Sequence, residues 1–247
     1  MNILTNEEDA FGQCIYDYYK GENPFQIVER DDGYLDVIPV NHYFTKYEDW
    51  PEHQKEAMEL AQGKVLDIGC GAGKHSIYLQ KKGLDVIGID ISPLAITVCK
   101  ERGLENVKVM GINQIHEQIN DIETVLMLGN NFGLFESKKR AKNLLDKVDE
   151  ATKDNAIIIA ESQDPHDTDN RFHLQYHKKN LKKGRMPGQL RIRSRYKKYA
   201  TPWFDYLIVS KEEMEKVLDN TNWKIERLIT RDSKYYIAII KKSLGKE

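Results

Sequence analysis

One stretch limits the possible folds more than any other. The apolar run Val65-Leu66-Asp67-Ile68 is followed by glycines at positions 69, 71 and 73 and then by a helix-forming segment from Lys74. Glycines at alternate positions directly after a strand let the backbone reverse sharply and come close to a ligand. The helix that follows begins with unsatisfied N–H groups. A strand–turn–helix unit of this kind is the building block of α/β proteins, and the chain repeats it.

The spacing predicts a helix over Lys74 to Lys82, a strand over Val86-Ile87-Gly88-Ile89, and a helix from the N-cap Ser92 and first-turn Pro93 to Arg102, stopped by Gly103. Further strands are expected at Val107 to Met110, Thr124 to Leu128 and Ala156 to Ala160. The last is wholly apolar, as a strand buried on both faces should be. Ser137 to Glu150 carries apolar residues at helical spacing. After a break between Ser162 and Ser210, a helix (Lys211 to Asn220) and two strands (Trp223–Ile229 and Tyr235–Ile240) follow, joined by Thr230 to Lys234 as an antiparallel hairpin. This pattern predicts an α/β fold with a seven-stranded, mostly parallel sheet whose last strand is antiparallel. Residues 61–161 and 205–247 form the core, residues 1–60 an N-terminal cap, irregular until a helix begins at Pro51, and residues 162–204 an inserted basic lid.

The insert draws attention through charge. From Arg171 to Tyr199 there are eleven lysines or arginines and no acid, whereas acids dominate before residue 37 (Glu7, Glu8, Asp9, Asp17, Glu22, Glu29, Asp31, Asp32, Asp36). The segment Gln189 to Lys197 alternates residue by residue, with Arg191, Arg193 and Arg195 on one face of a strand and Ile192, Ser194 and Tyr196 on the other. Trp203 to Val209 is its expected hairpin partner. Four readings are open: a solvated face, a lid whose arginines bind an anionic substrate, a docking surface for RNA or acidic protein, or a partner for the acidic N-terminal region.

Chemistry concentrates at the glycine turn. Asp90 ends the next strand at the spacing where a carboxylate accepts hydrogen bonds from the two hydroxyls of a ribose. Asp67 stands at the neck of the turn and separates two candidate ligands. A diphosphate there would be repelled by about 3 kcal/mol per charge pair at ~6 Å and an effective dielectric near 20. The ammonium and sulfonium of S-adenosylmethionine would be attracted instead.

Val65 to Gly73, Asp90 and Ile91-Ser92-Pro93 resemble the nucleoside-binding motifs of class I S-adenosylmethionine-dependent methyltransferases. The resemblance covers residues 60–160, and 205–240 by topology, and implies a Rossmann-like fold with S-adenosylmethionine as cofactor. By the same resemblance Asp67 and the Gly69 backbone lie near the methionine amino group, Asp90 on the ribose and Ile91 against the adenine, with the Ile112 N–H facing the ring. Cys70, Gly71, Gly73 and Leu128 complete the cofactor set. Gly111 stands where many members have an aspartate for the adenine amino group, with Asn113 and Gln114 nearby.

The fourth strand of the family leads to the reacting methyl, and here it ends in Leu128-Gly129-Asn130-Asn131-Phe132-Gly133. Asn/Asp-Pro-Pro-aromatic, common in amino-methyltransferases acting on nucleic acid bases, is absent, which argues against base methylation. Asn130 and Asn131 are candidates for orienting substrate, and Asp164 and His166, after the fifth strand, for a general base. Tyr43, Phe44 and Trp203 are expected to line the pocket, with Arg191, Arg193 and Arg195 on an anionic substrate. His75 and His116 are read as surface or cap residues.

Asp169, His173 and His177 share a helical face, but no metal is expected. Three scattered cysteines, 14, 70 and 99, suit a reducing cytoplasm. No apolar run approaches the roughly 20 residues needed to cross a bilayer. The expected activity is methyl transfer to a small molecule. RNA or protein methylation is the first alternative and nicotinamide-dependent oxidoreduction the second.

Overall fold

The computed structural model describes residues 2–231 and 234–243. Met1 of the cap, residues 232 and 233 of the expected hairpin turn and residues 244–247 of the core segment lie outside the described residues. In chain order the elements are α1 (Ala10–Tyr19), β1 (Phe25–Arg30), β2 (Leu35–Pro39), α2 (Glu52–Met58), β3 (Lys64–Ile68), α3 (Lys74–Lys81), β4 (Asp85–Asp90), α4 (Pro93–Glu101), β5 (Val107–Val109), α5 (Ile115–Gln118), β6 (Ile122–Met127), α6 (Lys138–Ala151), β7 (Thr152–Gln163), α7 (Arg171–Lys182), β8 (Gln189–Tyr196), β9 (Tyr199–Ala200), β10 (Phe204–Leu207), α8 (Lys211–Leu218), β11 (Trp223–Thr230) and β12 (Tyr235–Lys242).

The main sheet has seven strands in the order β11-β12-β7-β6-β3-β4-β5. Strands β7, β6, β3, β4 and β5 run parallel, and β12 inserts antiparallel between β7 and β11. Its two faces are read off by alternation. Leu66, Ile68, Val125, Met127, Ile158 and Ala160 pack under α6 and α8, while Val65, Leu126, Ile157 and Ile159 pack with Trp50, Ala57 and Met58 from the cap side. The strand order reverses at β3, between β4 and β6. Crossovers on either side of that point leave to opposite faces and open a crevice at the strand ends.

The N-terminal region departs from the expectation of an irregular start. Asp9 caps α1 by accepting from the Gly12 N–H at 2.9 Å, and β1 and β2 form an antiparallel hairpin. Strand β1 also pairs with β8 of the insert, giving a second, five-stranded sheet in the order β10-β8-β1-β2, with β9 on β8. Cap and insert are therefore joined by one sheet, and β10 extends it past residue 204. The stretch reads as irregular in sequence because β1 and β2 lack a clear half-buried alternation: Phe25, Leu35 and Val37 are more than half exposed.

That sheet also accounts for the charge asymmetry. Arg193 and Arg195 both reach Glu29, at 2.8 and 3.2 Å, and Lys197 reaches Asp17 and Glu22. The Tyr176 hydroxyl donates to Asp31 at 2.7 Å, and Arg191 pairs with Asp205 at 3.3 Å. Of the four readings, pairing of the basic insert with the acidic N-terminal region is the one these contacts make.

Candidate functional site

The turn after β3 is built largely from its own hydrogen bonds. Gly69 and Cys70 N–H both donate to the Ile89 carbonyl, at 2.9 and 3.0 Å, and Gly73 N–H donates to the Cys70 carbonyl at 2.8 Å. The Gly71 N–H donates to Asp90 Oδ2 at 3.1 Å. A diphosphate loop keeps such N–H groups free for phosphate oxygens. Here those of Gly69, Cys70, Gly71 and Gly73 are already committed. What the turn offers a ligand is carboxylate and carbonyl oxygen.

Gly69 lies in the left-handed region at φ +74°, and a Cβ there would stand 2.7 Å from Asn131 Nδ2. That amide donates to both the Ile68 and Gly69 carbonyls at 3.0 Å, so Asn131 ties the end of β6 to the turn. The Cys70 side chain points the other way: its thiol lies against Cys99 at 3.9 Å, and Cys99 donates to the Gly71 carbonyl. Only the Cys70 backbone belongs to the turn's open side.

Two buried carboxylates flank the turn. Asp67 accepts from the Ser76 hydroxyl at 2.6 Å, and Asp90 from the Ser92 N–H at 2.9 Å as well as from Gly71. Burial pushes both up to about 6. The Ser76 hydrogen bond opposes the rise at Asp67, and the Ser92 and Gly71 N–H groups oppose it at Asp90. Asp9, also buried, adds a third negative charge beside Asp90. Lys74 is the nearby cation. Its ammonium donates to the His42 carbonyl at 3.2 Å, and burial lowers its pKa against the attraction of Glu161 and Asp67.

At the end of β6, Gly129 and Asn130 both have positive φ, +71° and +66°. Glu161 of β7 holds them there. Its Oε2 accepts from the Gly129 N–H and, at 3.3 Å, from the Asn130 N–H. Its Oε1 accepts from His53 Nε2 at 2.8 Å, and Gln54 Nε2 donates to both oxygens. Burial raises the Glu161 pKa, but the His53 and Gln54 hydrogen bonds outweigh it and hold the carboxyl below its ordinary range. The Tyr206 hydroxyl donates to the Asn130 carbonyl at 2.6 Å, its ring seated on Gly133. The Asn130 side-chain oxygen is buried without a hydrogen-bond partner among the described residues.

Side chains from the cap cover the turn. Phe11 and Tyr43 lie within van der Waals reach of a Cβ placed on Gly71, and their rings meet edge-on at 5.2 Å. The Tyr43 hydroxyl donates to Gln26 Oε1 at 2.9 Å, and Gln26 Nε2 donates to Ser194 at 3.0 Å, so the cover is fastened to the second sheet. Burial raises the Tyr43 phenol, as do the nearby Cys14 and Asp90. Phe44 packs on Tyr18 and lies under the Arg102 guanidinium, which donates to the Ala72 carbonyl.

Several expected site residues sit elsewhere. The inward face of β8 carries Ser194, which reaches Tyr43 through Gln26, so Arg191, Arg193 and Arg195 lie on the opposite face in the ion pairs above. Trp203 goes with them, its ring under the Arg193 guanidinium at 4.6 Å. Tyr206, two strand positions beyond Phe204, takes the inward place instead. Asp164 accepts from the His166 N–H, and the half-exposed His166 ring faces Glu213 and His177, so this pair is occupied at the rim of β7. His75 is buried, not superficial, packed edge-on against Trp50 at 4.7 Å, and burial pushes its pKa well down. Ile112 and Leu128 are buried at strand ends, Ile91 is half-buried with its carbonyl bonded by the Leu4 N–H, and Gln114 accepts from the Gly111 N–H. Among the described residues no group of three or more His, Cys, Asp or Glu is placed to hold a metal.

Sequence reasoning missed Glu161, His53, Gln54, Gln26 and Tyr206. Glu161 had a visible signal, an acid ending an otherwise apolar strand. The others come from distant segments and had none.

A family profile described as Methyltransferase domain matches residues 65–155. A SAM-dependent methyltransferase from Bacteroides fragilis, crystallised with S-adenosyl-L-homocysteine, superposes with a TM-score of 0.83 at 25% identity over 98% of each chain. Among curated proteins, a 2-heptyl-1-hydroxyquinolin-4(1H)-one methyltransferase from Mycobacteroides abscessus is 32% identical over 114 residues, 42% of each chain. Ribosomal RNA small subunit methyltransferase C from Alcanivorax borkumensis is 43% identical over 53 residues, 20% of this chain and 16% of that one. The chain thus spans less than half the length of these curated relatives. With a seven-stranded sheet containing one antiparallel strand, a glycine turn at its switch point and buried carboxylates at Asp67 and Asp90, this chain carries a methyltransferase domain over residues 65–155 and has the fold of the class I S-adenosylmethionine-dependent methyltransferases.

Proposed function

We propose that the protein binds S-adenosylmethionine at the turn between β3 and α3 and methylates a small molecule enclosed beneath Tyr43 and Tyr206. The observation that carries this reading is the pair of buried carboxylates, Asp67 and Asp90, at a turn whose Gly69, Cys70, Gly71 and Gly73 N–H groups are already bonded. That donor set suits a ligand presenting hydroxyls and positive charge, and it does not suit a diphosphate. When bound, S-adenosylmethionine supplies a methyl group already activated on sulfonium sulfur.

The residues then have binding and positioning work to do. Asp90 has lone pairs to accept from ribose hydroxyls beyond those used by Gly71 and Ser92. Asp67 and the Gly69 carbonyl face a cationic methionine end, and Lys74 suits its carboxylate. Asn131 holds the turn against the substrate strand. Tyr43, Phe11 and Tyr206 exclude water and confine the acceptor; alignment of this kind is worth ~7–11 kcal/mol of barrier at best.

A small acceptor is favoured because the cover over the turn is fastened through Gln26 and Ser194 and because the arginines of β8 are engaged by acids. RNA docking has one supporting feature, the exposed Lys178, Lys179, Lys182 and Lys183 on and after α7. Methyl-labelled S-adenosylmethionine incubated with cell extract separated by size tests the choice. Label entering the fraction of small metabolites supports the reading; label entering only RNA or protein, with salt-sensitive binding to bulk RNA, overturns the small-molecule part.

A further inference from the structure

The cations of the insert divide into two groups. Arg191, Arg193, Arg195 and Lys197, on and just after β8, each meet a carboxylate. Arg171, Lys178, Lys179, Lys182, Lys183 and Arg185, on and just after α7, meet none among the described residues, and all but Arg185 are exposed. The helix is held from one side only. The Tyr176 hydroxyl donates to Asp31 and accepts from the Arg191 N–H at 3.1 Å, and the Asn180 amide donates to the Pro187 and Gln189 carbonyls at 3.0 and 2.8 Å. Away from these anchors stand Phe172, Leu174 and Leu181, 48%, 41% and 59% exposed. Of the seven large apolar side chains exposed among the described residues, three are therefore on this one helix. Single exposed apolar residues are ordinary, whereas a group of them set among unpaired cations marks a contact surface. Lysines in a last turn suit the helix dipole, which accounts for Lys179 and Lys182 but not for two leucines held in water.

We propose that α7 docks the protein on the surface of a bilayer containing anionic lipid, with Leu174 and Leu181 at the boundary of headgroups and acyl chains and the cations on lipid phosphates. Leu174 and Leu181 are two helical turns apart and share a face, and Arg171, Lys178 and Lys182 form the adjoining row. An apolar row beside a basic one is what a helix lying in a membrane interface presents, and the long lysine stems let their ammonium groups reach phosphates while the leucines dip below them. Other anionic partners use this helix less fully. RNA meets the cations and leaves both leucines in water. A groove on a protein takes apolar side chains spaced three and four apart, and Lys178 occupies the position between the two leucines. A fluid bilayer imposes no fixed shape and takes both rows together. The formal net charge of the chain is −2, so the attraction comes from this patch and not from the molecule as a whole.

Co-sedimentation with lipid vesicles tests the proposal, using the full chain, a Lys178→Glu, Lys182→Glu double variant and a Leu174→Ser, Leu181→Ser double variant. All four positions are exposed, so both variants should fold, and a melting curve checks that they do. Binding to vesicles of phosphatidylcholine mixed with phosphatidylglycerol is expected to exceed binding to phosphatidylcholine alone by roughly tenfold or more, and to weaken as salt rises. The charge variant should lose roughly tenfold of that affinity and the leucine variant roughly threefold or more. Equal binding to the two kinds of vesicle, or affinity for the anionic ones unchanged in either variant, overturns the proposal. So does binding to bulk RNA that the charge variant loses and the leucine variant keeps, with no uptake by vesicles; that outcome makes α7 a nucleic-acid surface. None of these readouts involves the methyl donor, so the methyltransferase reading stands or falls separately, on binding of S-adenosylhomocysteine.

Discussion

Asp67 and Asp90 carry carboxylates into a place from which water is largely excluded, and their ordinary charge state becomes conditional on pH. Each has a folded pKa near 6 against 3.8 when free, raised first by burial. A raised pKa means that the folded state holds protons the unfolded chain has lost. Their contribution to stability is fully present below about pH 4 and is lost as pH rises through 6. Glu161 has the opposite sign: its lowered pKa contributes stability at neutral pH that is lost as the medium falls through that folded value. A cationic ligand reverses the cost at the aspartates by favouring their charged forms. The thermal shift caused by S-adenosylmethionine should therefore be several-fold smaller at pH 5 than at pH 7.5, and binding near pH 6 should release protons, measurable as buffer-dependent heat. A shift independent of pH would remove Asp67 and Asp90 from the site. Gly69 provides a second check on the same turn. Gly69→Ala adds a left-handed penalty and displaces Asn131 from two carbonyls, an expected loss of about 2–3 kcal/mol in denaturant unfolding.

Between elements, Asp9 does for helices what Asn131 does for strands. One buried carboxylate caps α1 through Gly12 and also accepts from the Leu94 N–H and the Ser92 hydroxyl at the start of α4. Asp9→Ala leaves those donors without an acceptor, and about 2–3 kcal/mol of stability should go with it. Because Ser92 N–H also holds Asp90, weaker binding of S-adenosylhomocysteine is expected in the same variant, and calorimetry beside a melting curve separates the two effects. Every parallel strand was legible in the sequence, and so were the crossover helices α3, α4 and α6, but the short α5 between β5 and β6 was not. Local signals sufficed: short apolar runs, Ser92-Pro93 at a helix start, glycines at helix ends. The β1–β2 hairpin was not legible, since Leu35 and Val37 are exposed and give no burial pattern. The turn residues 67 to 73 and Asp90 were readable because one continuous motif contains them. Of the residues that close the site, Tyr43 was named from the sequence, whereas Tyr206 and Gln26 were not, since they meet it only through β10 and β1. The arginines of β8 were assigned to substrate because alternation shows which side chains share a face and does not show which face looks inward.

At the scale of the whole molecule, the core sheet presents the cofactor turn and the second sheet covers it. Tyr43 is the connection, touching the turn with its ring and the second sheet with its hydroxyl. Tyr43→Ala is expected to weaken S-adenosylhomocysteine binding by roughly tenfold, the loss of a packed aromatic and one hydrogen bond, and Tyr43→Phe by less than threefold. Equal affinity in all three proteins would show that the second sheet does not close over the donor. The central claim is that buried carboxylates at an internally bonded glycine turn select a positively charged sulfur nucleoside over a dinucleotide. Titration calorimetry at pH 7.5 of S-adenosylmethionine, S-adenosylhomocysteine and NAD into the unaltered protein and Asp90→Asn measures that selection directly. The expected result is saturable binding of both sulfur nucleosides, at least tenfold weaker in Asp90→Asn, with no heat from NAD. Tight NAD binding with no response to either sulfur compound would contradict the account.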